Sequence, residues 1–205
     1  MSRSRLVMIG AVVSIVAVFG VAPAAQAAED YFLVVQTRGA PGPAIEGETR
    51  DATFSRLRAI ELISFDWSAE NPATVGSATG GAGAGKAKLN QLTVEKRVDS
   101  ASAALFLRMA AGAHFPSMEL FVRRAGTTGQ GHLKYRFATV FVTSVSPSGG
   151  AGEEMRERVT FAYGAVAQSY TRMDANGTVF GSPLTAGWDQ VTNTACAFDL
   201  CDGLP

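Results

Sequence analysis

The chain has 205 residues, with 18 basic residues balanced by 18 acidic ones and 47% hydrophobic residues. A net charge near zero, with the arginines scattered along the chain, excludes the clustered basic surface that nucleic acid or an anionic membrane would demand. About 178 residues after the leader described next fit one domain, large enough to bury a core without metal or cofactor.

The first residues have the layout of a secretory signal peptide. Arg3 and Arg5 precede an uncharged apolar run from Leu6 to Val21, and small residues Ala22 to Ala28 follow. At 16 residues the run is shorter than the ~20 a membrane-spanning helix needs. Cleavage is expected after Ala27, giving residues 1–27 as leader and a secreted mature chain that carries 16 basic and 18 acidic residues. The mature protein therefore has a net charge of −2 and no further membrane association is expected.

Beyond the leader the pattern is that of short strands. Tyr31 to Gln36 is β-branched and aromatic, and Gly39-Ala-Pro-Gly-Pro43 ends it. Leu57 to Trp67 fits period two better than 3.6, so it is predicted as a strand. Residues 68–85 offer almost nothing to a core and are predicted to be one long flexible loop. Lys86 to Val98 alternates again, with Leu92, Val94 and Lys96 on one face. Asp99 or Ser100 caps the predicted helix Ala101 to Ala111, with Gly112 as its stop. Its apolar residues spread around the axis: Leu105 and Met109 share a face, while Phe106, Leu107 and Ala110 occupy others. More than one face should therefore be covered.

Three more strands are predicted, at Ser117 to Arg124, His132 to Ser146 and Val159 to Tyr170. Asn176-Gly177 signals a hairpin between Tyr170 and Val179-Phe180. The expected architecture is an all-β barrel of about six or more antiparallel strands with one flanking helix, spanning 28–190. Residues 191–205 form a tail in which Cys196 and Cys201, the only cysteines, are expected to pair as a local disulfide in an exported protein.

No enzymatic site emerges. Gly80-Gly-Ala-Gly-Ala-Gly85-Lys86 approaches a phosphate-binding loop, but Ala87 supplies no hydroxyl for Mg²⁺, and a strand rather than a helix follows. His114 and His132 lack partners at metal-ligand spacing. Ser144 and Ser146 alternate within a strand instead of occupying a nucleophile turn. Glu153, Glu154 and Glu157 read as a solvated strand end, and Arg123-Arg124 as half-exposed ion-pairing residues, one inward and one outward. Neither catalytic residues nor cofactor nor metal are expected.

Taken in order, several segments resemble the Hcp family, the tube proteins of type VI secretion machines. Ile60-Glu-Leu-Ile-Ser-Phe-Asp-Trp67 is similar to its strand, the glycine-rich stretch into Gly85-Lys86 to its extended loop, and Leu92 to Ser100 to its strand leading into the helix. Leu120 to Gly126, with Arg123, Arg124, Ala125 and Gly126, resembles the family's strand ending in a basic pair. Tyr135 and Val142 to Ser146, including Ser144, Val145 and Ser146, resemble its long central strand. Glu154, Val159, Phe161 and Tyr170, and finally Gly187-Trp188, fall at its acidic turn, last long strand and closing pair. The resemblance covers roughly residues 31–190 and implies a non-enzymatic barrel that assembles as a homo-hexameric ring, able to stack and to carry or chaperone effector proteins. The loop holding Gly76, Gly80, Gly81, Gly83, Gly85 and Lys86 would then contact a neighbouring subunit or ring. The other reading of the same barrel is a monomeric extracellular binding module.

Overall fold

The computed structural model describes residues 28–72, 86–174 and 176–199. The expected leader (1–27), Gly76, Gly80, Gly81, Gly83, Gly85 and Cys201 lie outside the described residues. In chain order the strands are β1 (Glu29–Gln36), β2 (Ile60–Asp66), β3 (Ala69–Glu70), β4 (Lys88–Leu89) and β5 (Leu92–Arg97). After helix α1 (Ala101–Ala111) come β6 (Phe115–Arg124), β7 (Leu133–Ser148), β8 (Arg156–Ala162), β9 (Ala165–Met173), β10 (Val179–Asp189) and β11 (Thr194–Ala195).

Six strands close on themselves in the antiparallel order β6-β1-β2-β5-β8-β7-β6, so the barrel has no free edge. Strand alternation sends Leu33, Ile60, Leu92, Val94, Leu120, Phe137, Val159 and Phe161 inward, and all of these are fully buried. The barrel with one flanking helix agrees with the architecture expected from sequence.

The 16-residue β7 does double duty. Its first half, Leu133 to Ala138, pairs with β6 on one side and β9 on the other, while Phe141 to Ser148 pairs with β8. The change of partner falls at Thr139, a non-glycine residue with φ of 52°, facing Gly164, whose N–H donates to the Ala138 carbonyl at 2.8 Å. A Cβ at Gly164 would come within 3.3 Å of the Thr139 side chain, so a small residue suits the bend. β9, β10 and β11 continue outward from that first half as a second leaf of the sheet.

Several expectations are corrected in detail. Val159 to Tyr170 is not one strand but β8 and β9, divided at Tyr163-Gly164 where the ribbon leaves the barrel. Leu57 sits in a short 3-10 turn (Ser55–Leu57) ended by Arg58 at φ 50°, so the strand begins only at Ile60. Residues 68–85 are not loop throughout, because Ala69–Glu70 pairs with Lys88–Leu89 to form a stem. Lys88 Nζ donates to Glu70 at 2.7 Å and Asn90 Nδ2 to Ser68 Oγ at 2.9 Å, which pins the stem. The hairpin at Asn176-Gly177 forms as expected, pairing Met173 with Val179, and Gly177 has φ of 84°. Within the expected tail, Thr194–Ala195 pairs with β10 and Phe198 packs on Ala138, Ala165 and Ala167.

α1 covers its predicted range, and its start is fixed by Asp99 rather than Ser100. Asp99 Oδ1 accepts the Ala101 N–H at 3.0 Å while the Asp99 N–H donates to Ser102 Oγ at 3.1 Å, a reciprocal cap that satisfies otherwise orphaned backbone groups. Gly112, at φ 62°, closes the far end.

Candidate assembly surface

The family-type residues do not converge on one centre. Trp67 is the one that meets others, stacking near Tyr135 and sharing a cleft with Trp188. Trp67 donates its indole N–H to Tyr163 Oη, and its ring lies 5.4 Å from that of Tyr135 and 6.4 Å from that of Phe137. Tyr163 Oη in turn donates to the Asn90 carbonyl at 2.7 Å, and burial pushes its phenol up to about 12. This aromatic stack fixes the start of the 68–85 segment against the barrel. Trp67, Leu89, Val166, Ala186, Gly187 and Trp188 line a cleft of about 250 Å³ containing no charged side chain.

The remaining motif residues do separate jobs. Phe161 is fully buried in the core, Val145 packs against that core, and Ser144 Oγ lies 3.4 Å from Ser146 Oγ at the surface end of β7. Ala125 and Gly126 form an exposed turn, where the Ala125 N–H donates to the Ala28 carbonyl at 2.8 Å. Glu154 is an exposed partner of Arg97 Nε at 2.7 Å, and Lys86 is exposed beside the β3–β4 stem. Cys196 lies against the Phe198 cluster; its expected partner Cys201 is outside the described residues.

Two readings of charged groups are corrected. Arg123 is buried, not half-exposed, and donates through Nη2 to Asp51 at 2.6 Å and Asp30 at 2.9 Å. Its guanidinium also lies 5.0 Å from the Phe32 ring and 5.5 Å from Phe54, so the arginine clamps the 37–59 segment and the start of β1 to the outer wall. The hydrogen bond from Arg123 holds the Asp51 carboxyl down, to about 2. Glu157 is likewise buried, not solvated. It faces Lys96 directly in the β5–β8 register and accepts from Lys96 Nζ at 2.7 Å. Lys96, 1% exposed, also reaches Asp99 Oδ1 at 2.6 Å, tying the helix cap to two barrel strands. Sequence reading missed this triad, although Lys96 continues the inward parity of Leu92 and Val94, and Glu157 that of Val159 and Phe161.

His114 and His132 are far apart in the fold. His114 is exposed, with its ring 5.4 Å from Phe141; His132 Nε2 lies 3.9 Å from Glu29 Oε1. Among the described residues no three His, Cys, Asp or Glu side chains form a metal-binding group.

What remains is apolar surface. On α1, Ala101, Ala104, Leu105 and Arg108 face inward, while Phe106 is 57% and Leu107 48% exposed. On the outer leaf, Tyr170, Val179, Phe180 and Leu184 are also exposed, and the Tyr170–Leu184 pair sits level with Leu133 of β7. Phe141, another exposed apolar residue, lies eight positions further along β7, ~26 Å of strand.

The closed six-stranded antiparallel barrel with one flanking helix defines the class of fold. The sequence profile of the family described as "Type VI secretion system effector, Hcp" matches residues 32–170, and the chain belongs to this family. It is 32% identical to Protein hcp1 of Pseudomonas aeruginosa over 108 residues, 51% of this chain; the match spans 65% of that relative's length. In three dimensions it is similar to a structure described as a type six secretion system protein, with a TM-score of 0.72 at 30% identity over 82% of this chain and 100% of the other. Hcp1 from Salmonella typhimurium follows, with a TM-score of 0.61 at 29% identity over 82% and 99% of the two chains.

Proposed function

We propose that this protein is a secreted, non-enzymatic tube-type subunit that assembles as a homo-hexameric ring. The rings stack, and their lumen carries or chaperones effector proteins. Residues 1–27 act as a leader cleaved after Ala27, so the subunit assembles after export, where Cys196 and Cys201 pair. The 68–85 segment reaches a neighbouring subunit or ring.

The observation that carries this reading is the pair of separate uncovered apolar faces, on α1 and on the outer leaf. A ring of identical subunits needs two different faces on each chain, because its contacts are heterologous. Native mass spectrometry of the mature protein at micromolar subunit concentration tests the reading. A mass of six subunits is expected, and a strict monomer at every concentration refutes it.

A further inference from the structure

The solvent side of α1 is unusual for a surface helix. Ala103, Phe106, Leu107 and Ala110 recur at helical spacing on that side, and every one is exposed. Surface helices normally turn polar and charged residues outward, yet this stripe has neither. The Trp67–Trp188 cleft is the converse, a concave and uncharged surface. One is a ridge and the other a hollow.

We propose that the α1 ridge of one subunit seats in the Trp67–Trp188 cleft of a second copy of this chain, with Phe106 and Leu107 as the inserted side chains. This deepens the ring reading and rests on it. Each surface fits the other better than itself, since ridge against ridge would leave the aromatic side chain without a pocket; that asymmetry gives the head-to-tail contact a ring requires. Neither surface carries a charge, so docking desolvates no unpaired ion. An exposed Phe, an exposed Leu and flanking alanines cover roughly 300 Å² per side, well below the ~800 Å² of a free-standing pair. The contact alone therefore does not hold an isolated dimer. In a closed ring every subunit is held on two sides, and the second attachment is intramolecular.

Full-length mature protein is tested in three forms: wild type, Phe106→Asp and Ala186→Asp. Both substituted positions are exposed, so circular dichroism should be unchanged. Each aspartate is expected to shift the native mass from ring to monomer. A Leu107→Cys/Ala186→Cys double variant, compared with its two single variants, should give an intersubunit disulfide ladder on non-reducing gels. If the wild type forms rings and both aspartate variants keep them, or if the double variant shows no more cross-linking than the singles, the assignment is overturned and the ridge faces some other partner. A monomeric wild type refutes the ring reading itself, a distinct result.

Discussion

Replacing Glu157 by leucine removes one of the two carboxylates that hold the buried Lys96 ammonium. That ammonium has Glu157 Oε1 at 2.7 Å and Asp99 Oδ1 at 2.6 Å, and the Ser102 hydroxyl donates to Glu157 as well, at 2.7 Å. Removing one partner of a buried ion pair costs about 3–5 kcal/mol when the survivor is left alone, and the remaining Asp99 reduces the expected loss to about 2–3 kcal/mol. At about 2–4 °C per kcal/mol for a domain of this size, Tm falls by roughly 4–12 °C. The assays are urea unfolding for the free energy and thermal unfolding for Tm, both at one fixed subunit concentration, because assembly adds its own stabilisation. A Lys96→Met/Glu157→Leu double variant removes both opposing charges and is expected to lose less than the two single variants combined, with a coupling of about 1–3 kcal/mol. A single-variant loss under about 1 kcal/mol, or strict additivity in the double variant, would show that the triad does not anchor the helix cap.

Asp51 gives a pH dependence. Its folded-state pKa of about 2 lies below the ordinary 3.8, so its contribution is fully present above pH 4 and is lost as pH falls toward 2. With the side chain 19% exposed, the Arg123–Asp51 contribution is about 1–2 kcal/mol after allowance for screening; Asp51→Asn should flatten that limb of the acid-unfolding curve, and an unchanged curve would count against it. Gly131 has φ of 89°, and a Cβ there would lie 2.2 Å from the Val122 carbonyl oxygen. Gly131→Ala should therefore destabilise by at least about 2 kcal/mol in thermal unfolding, with wild-type stability as the contrary result.

Local features were the legible ones. The helix was readable from end to end because its run of Ala, Leu and Met is bounded by an acceptor side chain and a glycine, signals lying within one turn of its ends. The hairpin at Asn176-Gly177 was readable for the same reason. The β8–β9 break was hidden because the run from Val159 to Ala167 stays apolar enough to read as one strand, although the core-facing parity passes from Val159, Phe161 and Tyr163 to Val166 across Gly164. Arg123 looked like a strand-end surface residue since Asp51, which buries it, comes from a segment 72 positions earlier. The Lys96–Glu157 pair spans 61 positions, and a lysine inside an alternating strand reads as solvent-facing until the register brings a carboxylate opposite it. The cleft between Trp67 and Trp188 was invisible because its two tryptophans belong to different leaves of the sheet.

The shared strand β7 also has a mechanical meaning. Because its first half is hydrogen-bonded to β6 and β9 at once, a pull along the strands of the outer leaf loads these rows of backbone bonds in shear, many at a time. A load on β10 therefore reaches the closed wall only through the β10–β9 and β9–β7 ladders, and the second of these is anchored in a strand that the barrel itself holds.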